Sequence, residues 1–494
     1  MAISQVFSRA QLGIQAPLVR VETHLGPGLP AFTIVGLPAT AVRESRDRVR
    51  SAIANAGFAF PQTRITVNLA PADLPKDGGR FDLPIALGIL IASGELPSKN
   101  IETLECIGEL ALTGSLRSVM GVLPAALACA QAGRTLLVPE DNAAEASLCR
   151  SAKVLAASGL LAACAHLKGV TPLTPISPST TPAADNIGPC LSEVRGQAQA
   201  RRALEIAASG GHSLLLCGPP GSGKSLLASR LPGLLPPLDE QQALAVAAVH
   251  SLHRPRPTEQ FNLPPFRGPH HTASAIAMVG GGNYPRPGEI SMAHHGVLFL
   301  DEIPEFSRHV LEVLREPLET GEVSIARAAR QTTFPARFQL VAAMNPCPCG
   351  YFGDPQRSCG YSCEKARRYQ AKLSGPLLDR IDLHLEVAAV KPDELMSMAP
   401  GEASAPVRER VRITRQQQLN RQGKLNQHLS SSELQPIINQ HGEWLSEAMQ
   451  RMALSARSLH RMLRVARTLA DMQQQQQVDT AHLAEALSYR LSQP

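Results

Sequence analysis

Gly218, Pro219, Pro220, Gly221, Ser222, Gly223, Lys224 and Ser225 fit the spacing G-x-x-x-x-G-K-[ST], the most specific chemical signal in the chain. Glycines at those steps let backbone amides close around a phosphate at a helix N-terminus. Lys224 neutralises β- and γ-oxygens, and the Ser225 hydroxyl can ligate Mg²⁺. The flanks agree: residues 213–217 predict a short buried strand, and Leu226 onward a helix. Downstream, apolar residues 297–300 predict a strand that ends in Asp301 and Glu302, one acid to hold the metal and one to polarise an attacking water. Residues 340–343 predict a further strand leading to Asn345; its amide can orient a γ-phosphate or the lytic water, and a plain turn asparagine is the competing reading. Arg380, flanked by Asp379 and Asp382, reads either as a surface ion pair or as a finger that completes a neighbour's ATP site. Arg457 could supply a second arginine, although Arg461, Arg464 and Arg467 follow at helical spacing and equally describe a solvated face.

Strands separated by helices are what position such residues, and they predict a parallel sheet for the second half of the chain. The chain has 494 residues, 44% hydrophobic and 18% charged. That is enough for two or three domains and excludes wholesale disorder, a collagen-like or coiled-coil rod and a small disulfide scaffold. The boundary is a proline-, serine- and threonine-rich stretch, TPLTPISPSTTPAA, with the composition of a semi-rigid linker. Residues 1–170 read as an α+β unit in which Ile65, Val67 and Leu69 alternate along a half-buried strand, while 123–132 and 143–148 predict helices. Residues 171–189 are the linker, 190–388 the nucleotide-binding α/β core, and 389–494 a helical subdomain in which the glutamine run 473–477 is a loop. The longest uncharged apolar stretches, 83–94 and 154–167, fall short of the 18 or so residues of a membrane span. The first residues lack the charged and apolar regions of a secretory signal. The expectation is a cytoplasmic protein with no membrane partner, and a net charge of +6 that is compatible with a polyanion.

Six cysteines, Cys106, Cys129, Cys149, Cys164, Cys190 and Cys217, are isolated and read as small buried hydrophobes. Cys347, Cys349, Cys359 and Cys363 are clustered as C-x-C-x9-C-x3-C. Four thiolates suffice for a tetrahedral Zn²⁺ site, with free thiols and a redox pair as the other readings. A metal there would stiffen a loop just after Asn345. Between the acid-ended strand and Asn345, residues 321–338 have β-prone flanks around a turn bearing Arg327 and Arg330, which predicts a hairpin. One Trp and five Tyr leave little for base stacking, so nucleic acid held by such arginines would be gripped by its phosphates.

Long strings through the whole chain resemble the YifB/ComM family of magnesium-chelatase-like AAA+ ATPases: FTIVGLPATAVRESRDRV, ITVNLAPADLPKDGGRFDLPIALGIL, PFRGPHHTASAIAMVGGGNYPRPGEISMAHHGVLFLDEIPEF, AAMNPCPCGYFGDP and LSGPLLDRIDLHLEV. The resemblance implies a P-loop AAA+ core of α/β class with a C-terminal helical lid, ATP and Mg²⁺ bound between subunits of a homo-hexamer, and roles for three residues. Asn345 would be sensor 1, Arg380 the trans arginine finger and Arg457 sensor 2. It also implies that the pre-sensor hairpin projects into the ring pore and tracks a nucleic-acid backbone, and that the N-terminal domain is similar in fold to the Lon protease domain (ribosomal S5 domain 2-like). Proteolysis is rejected on the residues. Arg80 stands at the nucleophile position in Lys76-Asp77-Gly78-Gly79-Arg80 and Leu123 near the position of the base, whereas a serine–lysine dyad needs a hydroxyl beside an amine. The resulting expectation is an ATP-dependent DNA helicase or translocase promoting branch migration in recombination and natural transformation. The alternatives are a remodeller of a protein partner and a chelatase-type motor subunit, which would need a separate partner because no D-x-S-x-S metal site occurs in the chain.

Overall fold

The computed structural model describes residues 2–36, 40–99, 101–177, 188–282, 285–327, 330–352, 357–389, 399–452 and 454–490. The first sheet is built from β1 (Ala2–Arg9), β2 (Leu18–Gly26), β3 (Ala31–Val35), β4 (Arg64–Ala70) and β5 (Leu104–Cys106). After a short hairpin of β6 (Glu109–Leu110) and β7 (Leu116–Arg117), it is completed by β8 (Thr135–Pro139) and β9 (Lys153–Ala157). Its order is β3-β4-β2-β1-β5-β8-β9. The pairs β1–β2 and β2–β4 are antiparallel and the rest parallel, so the sheet is mixed. Alternation does what it predicts: Ile65, Val67 and Leu69 of β4 are buried and the residues between them are not. The helix Asp82–Ala92 is apolar on every side because it lies between β1 and β2 on one side and the helix Thr40–Asn55 on the other. The two helices predicted downstream are Val122–Gln131 and the shorter Ala143–Ala146.

Part of the proline-rich stretch is not a free tether. The Leu173 amide donates to His166 Nδ1 at 3.0 Å and the Ile176 amide to the Val154 carbonyl at 2.9 Å; residues 178–187 of the predicted linker lie outside the described residues. The halves also meet directly. Val122, Leu123 and Ala126 share an apolar cluster with Ala243 and Phe261, and the Gly121 amide donates to the Ser251 carbonyl at 2.9 Å.

The second sheet contains β10 (Leu214–Cys217), β11 (Phe266–Arg267), β14 (Val297–Leu300), β17 (Gln339–Met344) and β18 (Leu383–Glu386). Between these lie a small pair, β12 (Gly280–Gly281) with β13 (Arg286–Pro287), and the hairpin β15 (Glu322–Arg327) with β16 (Arg330–Pro335). All five sheet strands are parallel and their order is β11-β14-β17-β10-β18. In chain order that is 5-1-4-3-2 read from β18, so the fourth strand is inserted between the first and third. Cys217 pairs with Met344 and Leu300 with Ala342, which brings the residues that follow all three strands to one edge. In parallel α/β sheets, the carboxyl ends of the strands are where ligands bind.

Helices Ser404–Gln422, Ser431–Gln440, Gly442–Met452, Ala456–Met472 and Thr480–Ser488 make up the C-terminal part. Leu459, Met462, Leu463 and Leu469 share one core with Leu204, Leu214 and Leu383. Residues 473–477 connect the last two helices without regular structure, as their composition predicts. A buried polar knot closes the joint. Asp382 accepts from the Ser213 amide at 3.1 Å and from Arg461 Nη1 at 2.7 Å, and lies 3.4 Å from His212 Nδ1. His212 in turn meets Thr468 Oγ1 at 2.7 Å. Among the described residues no helix is long and apolar enough to cross a membrane.

Candidate functional site

The glycine-rich loop leaves β10 and turns into the helix Lys224–Leu234 through Gly223, whose φ of +86° is left-handed. Gly218 is required by space: a Cβ there would sit 2.2 Å from the Val387 carbonyl oxygen. Gly218→Ala is therefore expected to lower the melting temperature, because the loop or the chain after β18 must shift to admit the methyl group, and to weaken ATP binding by tenfold or more. Titration with a fluorescent nucleotide, alongside a melting curve, measures both.

Lys224 is buried beside this loop. Its Nζ donates to the Gly218 carbonyl at 2.8 Å, the Pro219 carbonyl at 2.9 Å and Asn345 Oδ1 at 3.1 Å. Burial lowers its pKa, against which Asp301 is the largest opposing charge. The Ser225 hydroxyl donates to Asp301 Oδ2 at 2.6 Å, the pairing expected of two groups that would share a cation. Pro220, Gly221, Gly223, Lys224, Ser225, Leu226, Asp301, Glu302 and Asn345 line one open cleft of about 370 Å³. The phosphate-loop, acid and asparagine positions read separately in the sequence are thus one site.

Glu302 takes a left-handed backbone, φ +49°, unusual for a residue with a side chain. Its amide donates to Asp301 Oδ1 at 2.9 Å, and its carboxylate lies 3.6 Å from His271 Nδ1. His271 fits no catalytic motif in the sequence, although it lies in the string PFRGPHHTASAIAMVGGGN that carries the family resemblance. The strand order brings the ends of β11 and β14 together and so places it beside Glu302.

Arg380 and Arg457 do not line the cleft. Both turn to Glu319, at the end of the helix Arg315–Thr320: Arg380 Nη2 is 2.5 Å from Glu319 Oε1 and Arg457 Nη2 is 3.7 Å from the same atom. Within one chain Arg380 therefore matches the ion-pair reading, its side chain 10% exposed and Glu319 47%. The solvated-face reading of the helix is corrected. Arg461 is tied to Asp382, Arg464 Nε donates to the Leu429 carbonyl at 2.9 Å and Arg467 pairs with Asp471 at 2.8 Å, so these three cations anchor the C-terminal helices. Arg457, 52% exposed, is the one of the four that faces outward.

The hairpin is present, with Arg327 opposite Arg330 at its tip. Residues 328–329 and the side chains of both arginines lie outside the described residues. Its base is rooted in the core, since Val323, Ile325 and Phe334 pack with Leu298 and Leu300 of β14.

Cys347, Cys349 and Cys359 converge, with Sγ–Sγ separations of 3.3 to 3.6 Å. Cys363 does not join them. It is exposed at the start of the helix Cys363–Gln370, which corrects the four-thiolate reading. Of the isolated cysteines, Cys106, Cys129, Cys149 and Cys164 are buried as expected, whereas Cys190 and Cys217 are only partly covered. Hydrogen bonds from the Ser192 hydroxyl and amide, and from the Ser404 amide, pull the Cys190 thiol down to about 6.

The two positions compared with a protease lie together but hold no dyad. Arg80 is buried and donates to the Met120 carbonyl at 3.2 Å, three residues before the buried Leu123, and burial lowers its pKa to about 10. The nearby Lys76 ammonium is occupied by the carbonyls of Gly36 and Pro71.

Three family profiles described as magnesium chelatase subunit ChlI match this chain: one over residues 190–395, one over 21–142 and a C-terminal one over 401–490. The chain is 48% identical over 495 residues to the protein YifB of Escherichia coli, covering 99% of this chain and 97% of that protein. It is 49% identical over 500 residues to the competence protein ComM of Haemophilus influenzae, covering 99% and 98%. Against the magnesium-chelatase 38 kDa subunit of Cereibacter sphaeroides the identity falls to 27% over 174 residues, 32% of this chain and 52% of that protein. End-to-end similarity at this level, together with the P-loop cleft at the edge of a 5-1-4-3-2 parallel sheet, places the chain in the YifB/ComM family of magnesium-chelatase-like AAA+ ATPases.

Proposed function

We propose that this chain is an ATP-driven DNA motor that assembles as a homo-hexamer in the cytoplasm and promotes branch migration during recombination and the uptake of transforming DNA. The observation that carries the reading is the hairpin. It places Arg327 and Arg330 side by side at a tip whose root packs on β14, the strand that ends in Asp301 and Glu302. The full-length likeness to a protein named for competence supports the same direction.

ATP with Mg²⁺ supplies the γ-phosphoryl group whose hydrolysis drives movement. Gly218 to Gly223 offer backbone amides to the phosphates, and Lys224 exchanges its carbonyl partners for phosphate oxygens. Ser225 and Asp301 hold the cation, Glu302 accepts the proton of the attacking water, and Asn345 orients that water from between them. Arg380 serves the nucleotide of an adjoining subunit as the arginine finger, and Arg457 acts as sensor 2. Glu319 holds both in the single chain, so nucleotide phosphate competes with a carboxylate for the same two cations. Because Glu319 lies three residues before β15, that competition acts at the root of the hairpin. Residues 1–170 form a non-catalytic module, 190–388 the ATPase core and 389–494 the lid. The convergent thiols of Cys347, Cys349 and Cys359 would hold a zinc ion.

The test is ATP-dependent branch migration of a labelled three-strand junction, with Lys224→Ala as control. In the double variant Arg327→Ala/Arg330→Ala, basal ATPase should persist while DNA stimulation falls at least tenfold. The slope of log affinity against log salt should become shallower by about 2, one unit for each phosphate that is no longer neutralised. Robust ATPase without DNA binding at low salt would overturn the motor reading and favour remodelling of a protein partner, chelatase-type partners included.

A further inference from the structure

We infer that Cys347, Cys349 and Cys359 bind one Zn²⁺ as a three-thiolate tripod without Cys363, and that this ion clamps the phosphate-binding loop and so sets ATP affinity. The inference rests on the ATP-site reading above and adds a metal site with a defined ligand set.

The sulfurs form a nearly equilateral triangle of 3.3, 3.4 and 3.6 Å. Ligands at about 2.3 Å from one tetrahedral zinc lie about 3.8 Å apart, so the triangle needs only to open slightly to become one face of that tetrahedron. A disulfide needs about 2.05 Å between sulfurs, and no pair approaches it. An iron–sulfur cluster is also disfavoured, because its cysteines surround several metal atoms and must stand farther apart than three sulfurs that touch one another.

Backbone amides are aimed at the sulfurs. Cys347 Sγ accepts from the Gly350 amide at 3.2 Å and the Phe352 amide at 3.3 Å. The Tyr351 amide donates to Cys349 and the Tyr361 amide to Cys359. Backbone N–H groups aimed at sulfur stabilise thiolates and hold them at fixed angles, which is the role of the outer shell of a metal site. Three adjacent thiolates repel one another unless a cation lies between them. Zinc is the divalent ion that combines a preference for thiolate with tetrahedral geometry. Among the described residues no fourth ligand atom groups with the three thiols within 4.8 Å, and one further donor would complete the tetrahedron.

The clamp follows from what the same loop touches on either side of the thiols. Two residues before Cys347, Asn345 Oδ1 accepts from Lys224. One residue after Cys349, Gly350 lies so close to the phosphate-binding loop that a Cβ would fall 2.2 Å from Pro220 Cδ. Gln370 Nε2 fixes the intervening Pro346 carbonyl at 2.9 Å. Ligation would thus stiffen a bridge between Lys224 and Pro220 with no part in the chemical step.

Full-length protein grown with zinc should contain one zinc per chain by plasma mass spectrometry. Cys349→Ser and Cys359→Ser should fall below a tenth of that content, and Cys363→Ser should keep it. Stripping wild-type protein with a mercurial reagent, then restoring it with thiol and zinc, avoids dependence on variants that fold poorly. Stripping should weaken binding of a fluorescent ATP analogue at least tenfold, and restoration should reverse the loss. Wild-type protein that takes up no zinc, or loss of zinc in Cys363→Ser, would overturn the tripod. Unchanged nucleotide affinity after stripping would overturn the clamp. If the analogue fails to bind even the zinc-loaded protein, the ATP-site reading is what fails, because zinc content is read without nucleotide or DNA.

Discussion

Glu302→Gln should lower ATP turnover by about 10²–10⁴-fold, the range contributed by a positioned general base, while leaving the Kd for ATP within a few-fold of wild type. The separation follows from where the cleft places its charges. Phosphate contacts come from the Gly218–Gly223 amides and Lys224, and the cation pair is Ser225 with Asp301. Glu302 is in neither set. Its left-handed backbone and the hydrogen bond from its amide to Asp301 turn the carboxylate away from the acid beside it, toward His271. An amide of the same shape keeps that backbone and cannot accept the proton of water. Lys224→Ala should show the opposite pattern, loss of binding itself, because no other cation lines the cleft among the described residues. Nucleotide titration and a phosphate-release assay on both variants test the division of labour. Equal loss of binding in Glu302→Gln would show that the carboxylate contributes to the ground-state site.

Asp382→Ala should destabilise the joint between the ATPase core and the C-terminal helices by about 3–5 kcal/mol, the cost of removing one partner from a buried ion pair. Asp382 is 3% exposed and Arg461 15%, so little solvent is available to the stranded guanidinium. The Ser213 amide would lose its acceptor as well, while the Ser213 hydroxyl would keep the Arg380 carbonyl at 3.1 Å. Burial alone would raise the Asp382 carboxyl, but the Arg461 guanidinium and the hydrogen bonds from His212 and Arg461 outweigh it and hold the group well below the ordinary aspartate range. A depressed pKa means stability that is fully present above the unfolded value, about 3.9, and lost as pH falls toward the folded one. The gap between wild type and Asp382→Asn, in which the ion pair is gone but much of the shape remains, should therefore be constant from neutral pH down to about 4 and narrow below it. Hydrogen exchange in the helix Ala456–Met472 at several pH values would measure the gap locally. A variant with unchanged protection there would show that the apolar core shared with Leu204 and Leu383 holds the joint alone.

Features carried by neighbouring residues were legible in the sequence, and those made by distant ones were not. The phosphate-binding loop, the strand ending in Asp301 and Glu302 and the hairpin opposing Arg327 to Arg330 are contiguous, so residue type and spacing suffice. The gathering of Lys224, Asp301 and Asn345 could be expected only through the family likeness, because it depends on β17 being threaded between β10 and β14. Glu319 carries no motif, and its partners Arg380 and Arg457 are about 60 and 140 residues away in the chain. Helical spacing put Arg461, Arg464 and Arg467 on a common stripe but could not say which way it faced; they are spent on Asp382, a carbonyl and Asp471. Cys363 looked like a fourth ligand because counting thiols ignores direction, and the helix that starts there leaves it exposed.

Asp382 is two residues beyond Arg380, and it is also the point at which the C-terminal helices are riveted to the start of β10. Asp379 adds a second rivet, accepting from Ser458 Oγ at 3.0 Å. The segment 379–382 is thereby tied at both ends to the helix Ala456–Met472, with Arg380 between the two ties. A displacement of that helix would be passed to Arg380, and a pull on Arg380 would be passed to the helix.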